Sequence, residues 1–409
     1  MLKIVYQTCC GIDVHKTFVV ACIASTNDKG VTTYQTKRFS TYTKNLNELS
    51  DWLASNNCMD VCMESTGKYW HPVWNVLERT CRPVLAHPKY LKAIRGKKTD
   101  KKDAKWIADV FKHDLVSGSF IPPEIIRKLR DLVRYRFKLT NYNTGEKNRA
   151  QNCLTTSNIQ LDHAFSDVFG KSATAILNHI LENPGDKSFD VAPFVDRRCK
   201  TPIEEIQLAI DGDISPEQAE KLRIIRSHMD SLVLCKANLD SAILTLAEPL
   251  LPQINLVSSV PGIKGYSAVA VIAEIGTDMS VFPTAKHLCS LAGLAPQCNE
   301  SGGKKKSSRV SKAGAYIKPL LIQCSNAVVT SNKHPEIKNR YLSIKKRRGH
   351  KKAIVAIARM LLTAIFHILS KSEPYNPVLY KHSDIHLFDS VERAVKMLQK
   401  QGFSVTRSV

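Results

Sequence analysis

Four carboxylates carry the chemistry on offer in this sequence. Asp13 stands in GIDVHK, Glu64 in VCMESTGKYW, and Asp100 and Asp103 in GKKTDKKDAKW. Alternation places Asp13 at the end of a first strand and Glu64 at the end of a later one. Asp100 and Asp103 are three apart in a segment that reads as helix, a spacing that puts both on one face. Taken singly, each is an ordinary surface acid. Together they suit an RNase H-like sheet, where strand ends and a neighbouring helix bring carboxylates to one place. Clustered carboxylates repel, and Mg2+ removes that cost. Hard oxygen ligands suit this ion, and a two-metal site can clamp the attacking and leaving oxygens of a phosphodiester. His15 is read as a packing or hydrogen-bonding residue and left outside the ligand set.

Cations surround these acids. Lys92, Arg95, Lys97, Lys98, Lys101, Lys102 and Lys105 crowd the segment of Asp100 and Asp103, a rim suited to a nucleic-acid backbone. From Ser301 onward, SGGKKKSSRVSKAGAYIK carries Lys304, Lys305, Lys306, Arg309, Lys312 and Lys318 and no acid. Two readings stay open here. A serine beside such charge could attack phosphorus, with nearby cations stabilising the transition state. Equally, Ser-Gly-Gly-Lys is the composition of a flexible basic loop. A further run, from Lys345 through Arg347 and Arg348 to Lys352, suits backbone contact, or else a localisation signal or solvated loop.

The elements that must position these groups follow from the patterning. Strands are expected at Thr8 to Val14, Phe18 to Ala24, Thr32 to Phe39, Met59 to Met63 and Pro83 to Ala86. Helices are expected around Leu46–Leu53, at Trp70–Leu77, and from Tyr90 to about Leu115. This is a mixed α/β pattern. Gly and Pro then become rare and helical periodicity dominates, broken near Ser215-Pro216, so a helical hairpin or coiled coil is expected. SVPGIKGYSAVAVIAEIG has the look of a helix-hairpin-helix, or of a plain helix–turn–helix packing unit. The expected organisation is a nuclease domain over 1–125, a helical coiled-coil or oligomerisation region over 126–250, a mostly α C-terminal domain over 251–375 and a tail over 376–409.

Composition agrees with a nucleic-acid partner. Of 409 residues, 59 are Lys or Arg and 37 are Asp or Glu, a formal charge of +22. That surplus points to a polyanion, and its several clusters favour nucleic acid over a membrane surface. The twelve cysteines form no CxxC pair and are expected as buried thiols. Ala353 to Leu369, interrupted by Arg359 and His367, reads as a core helix rather than a span. No signal peptide is read, so a cytoplasmic protein is expected.

GIDVHK, CMESTGKYW and KTDKKDA resemble the N-terminal DEDD domain of transposases of the insertion sequence 110 family. SVPGI, AEIGTDMSVFPTAKHLCSLAGLAPQCNESGGK and SKAGAYIKPLL, in that order, resemble its C-terminal transposase domain. Lys264 stands where family members often carry a second glycine. The resemblance implies a RuvC-like nuclease domain whose Mg2+-binding carboxylates are Asp13, Glu64, Asp100 and Asp103. It implies Ser301 as a nucleophile that forms a phosphoserine link to DNA. It also implies a tetramer, a dimer of dimers, in which the carboxylates of one protomer meet the serine of another. A non-coding bridge RNA would pair with donor and target DNA, leaving backbone and shape to the protein. Two other readings compete: a RuvC-like junction nuclease using metal-activated water, and a non-catalytic nucleic-acid scaffold.

Overall fold

The computed structural model describes residues 3–88, 91, 99–116, 118–183, 189–296, 299–301, 304–307, 309–377, 394–395, 397–399 and 401–406, with backbone alone for 299–301 and 304–307. The chain divides into two compact units, Met1–Pro122 and Pro123–Val409.

The first unit is built on one sheet. Its strands are β1 (Thr8–Val14), β2 (Phe18–Thr26), β3 (Thr32–Ser40), β4 (Asp60–Glu64) and β5 (Arg82–Ala86), in the order β3-β2-β1-β4-β5. The first three are antiparallel, while β4 runs parallel to β1 and β5 parallel to β4. Helices α1 (Thr43–Ser55) and α2 (Trp70–Leu77) bury Leu46, Leu49, Leu53, Val73 and Leu77 against one face, over Ile12, Val19, Ala21, Val61 and Met63. Helix α3 (Asp100–Lys112) covers the other face. Its Ala104, Ile107, Ala108 and Phe111 are buried with Cys9, Val20, Cys22, Ala24 and Cys62. Burial holds the thiols of Cys9, Cys58 and Cys62 up at about 12, so they act as small apolar groups. This sheet, apolar on both faces, fits an RNase H-like domain.

The expected helix from Tyr90 differs from what is found. Leu91 is a bend, and α3 starts at Asp100. Thr99 is extended at φ −144° and its side chain accepts a hydrogen bond from the Lys102 amide, which sets the helix start. Asp100 and Asp103 therefore occupy the first turn, where unpaired amides favour negative charge.

The second unit is mostly helical. Two long helices, α4 (Glu124–Thr156) and, after α5 (Leu161–Ala164), α6 (Lys171–Glu182) and α7 (Ile203–Ala209), α8 (Pro216–Ala247), pack side by side. They run antiparallel, because Arg136 pairs with Asp240 while Glu146 meets His228 at 3.0 Å. Ser215 caps α8 by accepting from the Gln218 amide, and Pro216 occupies its first turn. The segment between the long helices has its own core around Ile159, Leu161, Ile176 and Ile206. Beyond α8 come α9 (Leu251–Ser258), α10 (Tyr266–Ile275), α11 (Ala285–Leu291), the hairpin β6 (Asn299–Ser301) and β7 (Lys304–Ser307), then α12 (Ile317–Thr330), α13 (Pro335–Arg348) and α14 (His350–Lys371). Arg134 grips Glu274 through two bonds of 2.7 and 2.8 Å, and Arg130 donates to the carbonyls of Ala273 and Glu274. These bonds tie α4 to the end of α10. Helix α14 is long and apolar enough to cross a membrane, but Ala353, Ile357, Leu361, Leu362 and Ile365 are buried within the unit.

Candidate carboxylate centre

Helix α3 lies directly on β1 because Gly11 has no side chain. A methyl group at Gly11 would overlap the backbone of Ala104 and Ala108. The two elements run in opposite senses. Cys9 donates from its thiol to the Ala108 carbonyl, Gly11 touches Ala104 and Ala108, and Asp13 meets the first turn of α3. The steps match: two strand residues advance roughly 6.7 Å and four helix residues about 6 Å. Cys9, Gly11 and Asp13 thus face the helix in the same rhythm as Ala108, Ala104 and Asp100.

Side-chain geometry follows. Asp13 is 8% exposed although charged. Its Oδ2 lies 3.1 Å from His15 Nε2, and the same nitrogen is 3.7 Å from Oδ1 of Asp100. Among the described residues, the ligand atoms of Asp13, His15 and Asp100 all lie within 4.8 Å of one another. Burial raises the Asp13 carboxyl above its ordinary value, and the charges of Asp103 and Asp100 push the same way. His15 opposes both through its charge and its hydrogen bond. Each negative neighbour thus makes ionising Asp13 harder, a cost that a cation would remove.

Glu64 ends β4, the parallel neighbour of β1. Ile12 pairs with Met63, so the next residues, Asp13, one short of the end of β1, and Glu64, the last of β4, stand at one level. Glu64 alternates with Cys62, which packs on the α3 face, and is half-buried. Asp103 is half-buried in the first turn of α3. Neither belongs to the three-membered group of Asp13, His15 and Asp100. His15, set aside in the sequence reading as a packing or hydrogen-bonding residue, hydrogen-bonds Asp13 and packs on Phe18. It lies just past the end of β1, in the turn to β2 closed by its amide bonding the Phe18 carbonyl at 2.9 Å, and so it folds back over Asp13.

Of the cations expected to meet nucleic acid, Lys101 and Lys102 are exposed on α3, while Lys97 and Lys98 lie outside the described residues. In the second unit the backbone of Ser301 ends β6 and pairs with Lys304 at the start of β7. The side chains of Ser301, Lys304, Lys305 and Lys306 lie outside the described residues. Arg309 and Lys312 are exposed. The base of this hairpin is pinned by Gly293 and Gly314, with φ of +65° and +69°, where a methyl would overlap Ala313 and Ala292 respectively. Arg347 and Arg348 end α13, and Lys351 and Lys352 begin α14; all four are exposed.

Comparison with known proteins gives two family matches along the chain. A transposase family model of the DEDD type of IS110 matches residues 10–159, and a second, "Transposase IS116/IS110/IS902 family", matches residues 254–342. An insertion element IS110 uncharacterized 43.6 kDa protein of Streptomyces coelicolor is 26% identical over 298 residues, covering 66% of this chain and 70% of that protein. The transposase for insertion sequence element IS1111A of Coxiella burnetii is 27% identical over 50% of this chain and 56% of its own length. A pilin gene-inverting protein of Moraxella bovis is 28% identical over 32% of this chain and 42% of its own. With an N-terminal and a C-terminal model of the same family matched in order, the chain belongs to the IS110 family of DEDD transposases, enzymes of DNA recombination.

Proposed function

We propose that this protein cuts and rejoins donor and target DNA, with Asp13, Glu64, Asp100 and Asp103 holding Mg2+ and Ser301 as the nucleophile. The observation that carries the reading is the convergence of Asp13 and Asp100 on one corner of the sheet, beside the Glu64-bearing strand end. These donors fit the ion: two carboxylates from distant segments approach closely, one of them buried, and their repulsion calls for a divalent cation. Mg2+ bound there would supply charge that stabilises the oxygens of a phosphodiester under attack.

The chain's own groups have distinct tasks. The carboxylates bind the ion, and His15 orients Asp13 and Asp100 from between them. The Ser301 oxygen would bond to phosphorus as its proton leaves and the P–O bond to the departing strand breaks. The departing oxygen takes up a proton. A hydroxyl of the exchanged strand then attacks the phosphoserine and regenerates Ser301, so no bond energy is lost to water. Lys304, Lys305, Lys306, Arg309 and Lys312 would hold the backbone near the serine, and Lys97, Lys98, Lys101 and Lys102 near the carboxylates. Arg347 and Arg348 would add contacts at the α13–α14 corner. The name of the Moraxella bovis relative, a gene-inverting protein, describes rejoining as well as cutting, which favours exchange over hydrolysis.

The finer organisation belongs to the same proposal. It comprises a RuvC-like domain, a coiled-coil pair in α4 and α8, a helix-hairpin-helix at α9–α10, a tetramer, a bridge RNA and a cytoplasmic setting. The test is recombination with purified protein, RNA transcribed from the flank of its gene, and paired DNA substrates. Asp13→Asn and Ser301→Ala should each abolish exchange. Cleavage that survives Ser301→Ala but not Asp13→Asn would replace this reading with a hydrolytic nuclease.

A further inference from the structure

Arg38 sits on the carboxylate face of the sheet. Asp13 pairs with Val20 on β2, and Val20 pairs with Arg38 on β3, so the three form one rung and project to the side covered by α3. Two strand spacings separate the backbones of Asp13 and Arg38, about 10 Å. On the other side of Asp13 the row continues to Glu64.

A chain of contacts links the arginine to the centre. His15, hydrogen-bonded to Asp13, has its ring 4.4 Å from that of Phe18. The guanidinium of Arg38 lies 3.6 Å from the centroid of the same Phe18 ring. Stacking on an aromatic face fixes the plane of a guanidinium while leaving its N–H edges free. Among the described residues no carboxylate pairs with Arg38, and the residue is exposed. An arginine held in place, without an acid, beside an acidic centre is placed to bind an anion that the centre would otherwise repel. Lys105, seated 3.9 Å over the Tyr34 ring, puts a second cation on the same face further along β3.

We propose that Arg38 is a phosphate-binding residue of the carboxylate centre, gripping the DNA backbone beside the bond to be cut. The proposal rests on the assignment of that centre as the DNA-cutting site. Its geometry suits a fork of two N–H bonds to a phosphodiester, with Phe18 supplying the stacking plane.

The experiment compares the full-length wild type with Arg38→Gln and Arg38→Lys. A labelled duplex DNA of arbitrary sequence is titrated at several salt concentrations, and the KM for cleavage of the paired DNA substrates is measured alongside with the RNA present. Gln keeps a planar group over Phe18 without charge; Lys keeps the charge without the fork. Arg38→Gln should weaken binding about tenfold, lower the slope of log affinity against log salt by about 1, and raise KM more than it lowers kcat. Arg38→Lys should restore the slope while leaving affinity below wild type. Wild-type affinity, slope and KM in Arg38→Gln overturn the proposal, as does rescue by Gln as complete as by Lys, which would make Arg38 a cover for the ring. Asp13→Asn, run in parallel, should still bind the duplex; if it also still cleaves, the centre is misassigned, whereas the Arg38 binding measurement reads independently.

Discussion

The Oδ2 atom of Asp13 and the Nε2 atom of His15 are 3.1 Å apart, and His15 is in turn 3.7 Å from Asp100. A strand end, a turn and a helix start thus share one corner. A histidine between two carboxylates does two things. It partly offsets their mutual repulsion, and it fixes the direction in which Asp13 points.

Asp13→Asn should separate function from folding. Burial, followed by the charges of Asp103 and Asp100, raises the Asp13 carboxyl in the folded state. A carboxyl held above its unfolded value costs nothing while protonated in both states and costs most once ionised in both. Without divalent ions, stability should therefore fall as pH rises from about 4 through the raised value. The Asn variant should lack this fall and melt a few degrees higher at neutral pH, while strand cleavage drops at least about a hundredfold. Melting curves across pH in a chelator, wild type against variant, provide the check. A variant that melts lower throughout would contradict the electrostatic account.

His15→Ala should weaken divalent-ion binding about tenfold, the usual cost of losing a group that orients a ligand. Calorimetric titration with Mg2+ and with Mn2+ measures it directly. A drop for Mn2+ much larger than for Mg2+ would mark His15 as a ligand in its own right, since nitrogen donors suit Mn2+ better. Unchanged binding of both ions would leave His15 as a packing residue of Phe18.

Why the sequence could not place His15 between two carboxylates is physical. In a strand, a residue two beyond Asp13 points the same way and stands nearly 7 Å further along. But β1 ends at Val14, and the turn closed by the bond to Phe18 brings His15 back over Asp13. Thr8–Val14 and Trp70–Leu77 were legible because alternation and helical spacing record local burial. The start of α3 was not, because a run of lysines looks equally helical on both sides of Thr99. The threonine cap followed by acids was the available signal. Arg38 was invisible for a different reason: its rung depends on the registers of two hairpins, which no spacing of charges encodes.

Gly11→Ala should be costly out of proportion to its size. The added methyl overlaps the backbone of Ala104 and Ala108, and neither can rotate away as a side chain would. Relief requires lifting α3 from the sheet, which exposes Ile107 and Phe111 and withdraws Asp100 from Asp13. The expected loss is about 2 to 3 kcal/mol, in the range of overpacked cores, together with weaker Mg2+ binding. Urea titration and calorimetry would show both. Mild destabilisation with intact Mg2+ affinity would mean that the position of α3 does not set the centre.

Ser301→Ala addresses the second unit. The serine ends a short strand whose partner brings Lys304, Lys305 and Lys306, and the hairpin is anchored at its base where Gly293 and Gly314 let two backbones touch. If Ser301 attacks phosphorus, incubation with labelled DNA should yield a protein–DNA adduct that survives denaturant and is lost in Ser301→Ala. Ser307→Ala and Ser311→Ala should retain it, because removing a hydroxyl that makes no bond to phosphorus leaves the exchange intact. Binding of the same DNA by Ser301→Ala should stay within about twofold of wild type, since a neutral hydroxyl adds little to a contact dominated by cations. An adduct that persists in Ser301→Ala and vanishes in one of the other two variants would move the nucleophile along the hairpin without disturbing the carboxylate centre.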